Sequence, residues 1–326
     1  MPESTALRWR VMLSFFVLYI VWGSTYISMQ MAVQTIPPFV MGAGRFLIAG
    51  VILIAWARLR GVEWPTRENW WGASISGGLM FLVATGGVAW AVQYVPSSIA
   101  AVMSAMVPLW MVLLNWLFVS HIRPNLLVFI GLALGFGGIV VLVTRSGETV
   151  AAADALYLPA MIVLTITPLA WSIGSLYSLR SSLPKSPRMT TGMQLFSGGL
   201  MMVVLALVTG DFNGFELSQV SLISLLNFWY LIIVSSVITF MAYVWLIRVV
   251  NPARVATYAF VNPVIAFFLG VVLANEPITP RTVVATLVIL AGVVIITLYS
   301  HRAVTVPVYT PQAVLNPASG DNAPGL

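Results

Sequence analysis

From residue 11 to residue 299 the chain is a succession of apolar runs, each about as long as a bilayer is thick, separated by short links bearing proline or charge. A helix needs about 20 mostly apolar residues to cross a hydrocarbon core of about 30 Å. By that rule the runs fall at 11–32, 39–57, 70–91, 97–119, 125–144, 155–179, 189–208, 222–247, 253–273 and 281–299. The links include Ile36-Pro37-Pro38, Tyr94-Val95-Pro96, His121-Ile122-Arg123-Pro124, Pro184-Lys185-Ser186-Pro187, Asn251-Pro252 and Asn275-Glu276-Pro277. Proline keeps the residue before it out of the helical region, so each link ends the run it follows. The expected fold is an all-α integral membrane protein of ten transmembrane helices.

Charge agrees with this reading. Only 7% of residues are charged, too few to cover a soluble globule, and the mean hydropathy is +0.99. The first run is longer than the apolar core of a signal peptide and lacks a small-residue cleavage site, so it is expected to stay as a mature helix. The net charge of +6 does not point to nucleic acid, because the basic residues lie singly or in small groups between runs rather than along one face. Cytoplasmic loops are enriched in Lys and Arg. With the N-terminus inside, the cytoplasmic segments hold Arg8, Arg10, Arg58, Arg60, Arg67, Arg123, Arg180, Lys185, Arg188, Arg248, Arg254 and Arg302, and the other side only Arg145 and Arg281. Both termini are therefore expected in the cytoplasm, in a multi-pass protein of the plasma or inner membrane. Residues 1–10 form the N-terminal segment. Residues 301–326, rich in Pro, Ala, Asn and Gly, read as a disordered cytoplasmic tail.

One cation remains inside the runs. Arg45 lies about six residues into the second, hence about 9 Å below the outer boundary at a rise of 1.5 Å per residue. A buried membrane Arg costs about 2.5 to 3.5 kcal/mol even on the lenient insertion scale. Two readings are open: recognition of an anionic group by the guanidinium fork, or a side chain that snorkels outward or braces helix-end carbonyls.

The chain also echoes itself. An offset of 149 brings Trp22 onto Trp171, Arg45 onto Gln194 and Gly50 onto Gly199, and one of 155 brings Pro108 onto Pro263, His121 onto Glu276 and Gly137 onto Gly292. Each half, 11–148 and 149–300, would hold five spans, and an odd number turns the second half upside down, an inverted repeat. Pro108 and Pro263 at matching mid-helix positions each remove a helical hydrogen bond, and the freed carbonyl must face protein or a water-filled cavity. Trp9, Trp64, Trp70, Trp71 and Tyr299 stand near span ends as an interfacial belt, whereas Trp22, Trp90, Trp110, Trp171 and Tyr258 lie deeper. Gly131 and Gly135 form a GxxxG, suited to close helix packing within a monomer or across a homodimer.

Absences narrow the function. No Asp or Glu lies inside a span, and cysteine is missing altogether, so neither a membrane-embedded hydrolase nor a metal enzyme has its buried groups. No GxxxxGK[ST] is present to hold a nucleotide. No enzyme activity, cofactor or metal is expected.

Taken together, WGSTY with PP and then RFLIAG, YVPSSIAAVMSAMVPLW, and NPARVATYAFVNPVIAFFLGVVLANEPIT followed by AGVVIITL resemble the EamA-type branch of the drug/metabolite transporter superfamily. The resemblance covers about Val11 to Tyr299. It implies two inverted five-helix halves, a central cavity, alternating access, and fifth and tenth spans that brace the outside. It places at the cavity Trp22, Ser24 and Thr25 of span one, Trp90 of span three, Ser104 and Pro108 of span four, Trp171 and Ser175 of span six, and Tyr258, Asn262 and Pro263 of span nine; the depth of Arg45 in span two adds it near the outer rim of that cavity. The chain also resembles, more distantly, the small multidrug resistance proteins, but lacks the glutamate that they carry in their first span. Proton antiport by that route therefore lacks its residue, and a facilitator or exchanger stands beside it.

The expected function is secondary transport of a small metabolite such as an amino acid, moved outward or exchanged, with the solute and the lipid bilayer as partners. The alternatives are efflux of lipophilic toxic compounds and, in another class, a membrane receptor or scaffold that transports nothing.

Overall fold

The structure, a computed structural model, describes residues 5–121, 123–143, 155–250, 255, 258–276 and 279–299. The link Asn251-Pro252, the cations Arg145, Arg254 and Arg302, and the expected tail lie outside them. Among the described residues there is no strand.

Seven helices are long and apolar enough to cross a membrane, and three further apolar helices are shorter by the same measure. In chain order they are α1 (Thr5–Ala32), α2 (Pro38–Leu59), α3 (Arg67–Ala91), α4 (Ser97–Phe118), α5 (Leu126–Val143), α6 (Tyr157–Arg180), α7 (Pro187–Thr209), α8 (Leu222–Tyr243), α9 (Tyr258–Ala274) and α10 (Pro280–Tyr299). The three shorter ones belong to α5, α9 and α10. Starts follow local chemistry: Pro38 opens α2 and Pro187 opens α7, where a missing N–H is harmless, and Thr66 caps α3 in a reciprocal box with Asn69.

Three helices depart from regular geometry. The interiors of α3, over Gly78–Thr85, and α8, over Tyr230–Ile238, are π-helical. A threonine closes the first segment and another follows the second, each with a hydroxyl that donates five residues back, Thr85 to the Met80 carbonyl at 3.0 Å and Thr239 to the Val234 carbonyl at 2.8 Å. The third is α4, which breaks into Ser97–Ser104 and Val107–Leu114. Here the expectation of matched mid-helix prolines is corrected: Pro108 sits at the start of a new helical segment, while Pro263 is carried inside α9. The N–H that Pro108 lacks is one that a helix start leaves unpaired in any case.

The links gather at two ends. At one, rich in arginine, Asn69 at the head of α3 donates to the Ser182 carbonyl beyond α6 (3.2 Å), and the Arg188 guanidinium lies 5.1 Å over the Trp56 ring. At the other, the Phe39 amide donates to Asp211 (3.1 Å) and the Ser221 amide to Thr35 (3.1 Å). Helices α2 and α7 therefore run antiparallel, and they meet through small residues. A Cβ on Gly50 would stand 2.8 Å from the Phe196 amide nitrogen, and one on Gly199 would stand 2.9 Å from that of Leu47. The GxxxG of α5 is used within the chain, since a Cβ on Gly131 would meet the Gly292 carbonyl of α10 at 2.8 Å.

Between the arginine-poor ends lies the largest apolar cluster, which includes Met29 and Val33 of α1, Val88 and Val92 of α3, and Ile99, Met103 and Met106 of α4. Large apolar side chains face outward around the bundle, Phe16, Leu126, Val204 and Phe268 among them, as a lipid-facing surface requires.

A side chain at the α2–α7 seam has no room. Gly50→Val should lower stability by about 1 to 3 kcal/mol, the usual effect of overpacking, and Gly137→Ala, where the added Cβ meets nothing within 4 Å, should leave it unchanged. Thermal denaturation of the two variants in one detergent, compared with the parent, checks both.

Candidate transport cavity

A cavity of about 490 Å³ lies within the bundle, walled by α1, α2, α3, α4, α6, α8 and α9 with Ile296 of α10. Such a volume falls within the usual range of about 300 to 1,000 Å³ for small-molecule sites. Its wall reaches Leu176 and Leu179, next to the arginine-rich end of α6, and at the other extreme stops at Met29 and Val88.

Nine of the twelve positions expected at the cavity line it: Trp22, Thr25, Arg45, Ser104, Pro108, Trp171, Tyr258, Asn262 and Pro263. The other three, expected in the same wall, sit elsewhere. Ser24 is held 2.6 Å from the Tyr230 hydroxyl of α8 and also donates to the Val21 carbonyl, because its face of α1 packs on α8. Trp90, past the π-helical turns of α3, stacks 5.2 Å from Tyr94 against the apolar cluster. Ser175 donates to the Trp171 carbonyl one turn back (2.8 Å), outside the wall.

Aromatic rings form most of the wall. Trp22 packs edge-on against Tyr258 (4.9 Å) and Phe240 (5.5 Å), and Phe81 bridges Phe240, Trp171 and Phe46. The Asn262 amide, oriented by its partners, donates to the Tyr258 and Tyr19 carbonyls and ties α9 to α1. Phe81, Phe240, Thr167 and Pro168 line the cavity without having been expected there. Pro168, inside α6, had a sequence signal in its mid-span position; the phenylalanines had none, because apolar residues in an apolar run look alike.

Arg45 is 6% exposed and turned inward, which removes the snorkelling reading. Its Nε donates to Ser236 (2.9 Å) and its Nη2 to Ser235 (3.1 Å), both on α8 at the π-helical stretch. Ser235 lies 3.0 Å from the Thr25 hydroxyl, so α1, α2 and α8 are joined through one polar chain. The Phe46 ring lies 5.0 Å from the guanidinium carbon. Gln194, the 149-residue counterpart on α7, is equally buried and donates to Ser76 of α3 (2.9 Å) and Ser178 of α6 (2.6 Å).

Glu276 was passed over as a link residue outside the spans, yet it is only 8% exposed. It sits just past α9, after Asn275 in the left-handed region (φ 51), and caps the start of α4. One carboxylate oxygen accepts from the Ser97 amide (2.6 Å) and hydroxyl (2.7 Å), the other from the Ser98 amide (3.2 Å) and hydroxyl. A negative charge at a helix N-terminus, with four donors, is a strong local clasp. Beyond it a second hollow of about 730 Å³ opens at the arginine-poor end, lined by Gln30, Gln34, Gln93 and Glu276 among others. The two hollows come within one helical turn of each other: Met29 lines the first and Val33 the second, as do Val88 and Val92.

The model of the EamA-like transporter family matches the chain twice, over residues 9–144 and 158–298. The chain is 35% identical over 308 residues to the uncharacterized inner membrane transporter YedA of Escherichia coli (strain K12), covering 94% of this chain and 96% of that one. It is 24% identical to the protein PecM of Dickeya dadantii (90% and 96% covered) and 26% identical to the chloroplastic WAT1-related protein At3g02690 of Arabidopsis thaliana (90% and 70%). A solved crystal structure superposes with a TM-score of 0.59 at 20% identity, covering 90% of this chain and 98% of that one, a likeness of fold. With its family model matched twice along a bundle that encloses a ring-walled hollow, the chain belongs to the EamA-like transporter family of membrane transporters.

Proposed function

We propose that the protein is a secondary transporter that moves small zwitterionic metabolites, amino acids first among them, outward or in exchange, by alternating access between two inverted five-helix halves, 11–148 and 149–300. The observation that carries this reading is the 490 Å³ cavity itself: aromatic and hydroxyl-bearing, with one cation, and continuing toward one end of the bundle only. A wall of rings and neutral polar groups suits a solute of low net charge, since a multivalent anion would need several cations.

The inverted halves are supported by exchanging α1 with α6, α2 with α7, α3 with α8, and α4 with α9. Under that exchange the packing of α1 on α9 corresponds to that of α6 on α4, α1 on α8 to α6 on α3, and α2 on α8 to α7 on α3. The α2–α7 and α5–α10 contacts map onto themselves. The two π-helical segments and the threonines at their C-terminal edges, Thr85 and Thr239, 154 residues apart, agree with the same exchange. Alternating access is supported by the single-turn partition between the two hollows and by the Glu276 clasp beside it. With the arginine-rich end in the cytoplasm, this is the inward-open arrangement, and the cytoplasmic termini follow.

The ring-lined wall also favours a second reading, efflux of lipophilic toxic compounds. Radiolabelled amino acid flux into proteoliposomes above an empty-vesicle control, reduced at least about tenfold by Trp171→Ala, is the expected outcome. Drug resistance on expression with no flux for any amino acid would move the conclusion to the second reading.

The clasp has its own readout. Glu276→Gln weakens four charge-assisted contacts, each worth about 1.5 to 3 kcal/mol, and should populate the outward-open form. Because the chain has no cysteine, a single cysteine at Val95 reports this. Its labelling by an impermeant maleimide from the arginine-poor side should rise several-fold in the Gln variant; unchanged labelling would show that the clasp does not hold the outer gate.

A further inference from the structure

We propose that Arg45 is the anion subsite of the cavity, and that it takes the carboxylate of the transported solute on the side of Nη1; this rests on the transport reading above and narrows its substrate class to carboxylates. The reasoning starts from the partners the guanidinium has. Two of its three nitrogens are held by Ser236 and Ser235, which fix the plane of the fork. The third, Nη1, is buried and has no hydrogen-bond partner, on a residue that forms part of the cavity wall.

No counter-charge is at hand among the described residues. Glu63 and Glu68 lie at the arginine-rich end, Asp211 and Glu216 in the link before α8, and Glu276 is engaged by Ser97 and Ser98. Serine hydroxyls orient a guanidinium but do not neutralise it, and a buried cation with an open donor is costly until an anion fills it. A guanidinium fixed by side-chain hydrogen bonds has lost its rotational freedom before the ligand arrives, so little ordering is left to oppose binding. The Phe46 ring beside it begins the aromatic wall through Phe81 toward Trp22, which leaves an apolar surface for the rest of the solute. One cation with one open nitrogen fits one carboxylate.

The test uses the purified full-length chain, with proteinogenic amino acids and their carboxamides as probes in thermal-shift titrations and in proteoliposome flux. At least one acid should bind about tenfold or more tighter than its own amide, the value of a charge-assisted contact. Arg45→Gln should abolish that gap and Arg45→Lys should keep part of it. Ligand-free Arg45→Gln should melt no lower than the parent, because it removes an unneutralised charge. Amides that bind and move as well as acids would overturn the subsite while leaving the transporter standing. A ligand-free Arg45→Gln protein that melts lower while still preferring acids would make Arg45 a brace. If neither series binds or moves, the amino acid reading fails, and this inference fails with it.

Discussion

Where α2 crosses α7 in opposite directions, backbone meets backbone. Glycines stand where a Cβ would strike the partner's main chain, at Gly50 and Gly192 and again at Gly199. In lipid no hydrophobic force pulls helices together, so close packing of small residues must do it. The spacing of this seam sets the rest of the bundle. It fixes how far Arg45 of α2 stands from α8, where it reaches Ser235 and Ser236, and how far Gln194 of α7 stands from α3 and α6, where it reaches Ser76 and Ser178.

Most polar groups inside the bundle find a partner in the protein, since an unpaired donor in hydrocarbon has no water to turn to. Most hydroxyls donate to their own helix: Thr25 to Val21, Ser76 to Gly72, Ser104 to Ala100 and Ser172 to Pro168. The same habit holds Ser24 and Ser175 away from the wall, because a serine in an apolar run has a partner one turn back before any ligand arrives. The π-helical stretches follow the same habit, with the Thr85 hydroxyl donating to the Met80 carbonyl and the Thr239 hydroxyl to the Val234 carbonyl. In α8 that widened turn presents Ser235 and Ser236 side by side to Arg45.

Much of the frame was legible because it is written in long-period signals. Run length gave the helices, proline-bearing links gave most of their ends, and the 149-residue echo paired Trp22 with Trp171, which both line the cavity. What escaped the sequence depends on which side of a helix faces inward. Nothing in the sequence separates Phe81, in the wall, from Trp90, further along the same helix and outside it, because the π-helical turns between them shift the face. Glu276 was hidden for a different reason. Its burial comes from a left-handed Asn275 that turns the chain back onto α4, and a left-handed asparagine leaves little trace in composition.

The 149-residue echo sets Arg45 against Gln194, two polar residues of unlike charge. Both are buried, both bridge to a pair of serines, and both stand beside the seam. Only one is charged. A scaffold built from two like halves would offer its occupant the same group from either side, and an occupant with unlike ends would have no preferred orientation. Arginine at one position and glutamine at the other removes that degeneracy: Arg45 places a full charge in the cavity wall, whereas Gln194 lies outside that wall with its amide engaged by Ser76 and Ser178. The aromatic wall between them belongs to both halves, with Trp22, Phe46 and Phe81 from the first and Trp171, Phe240 and Tyr258 from the second. Both stretches of the chain contribute rings to one wall, and the one cation in that wall is Arg45.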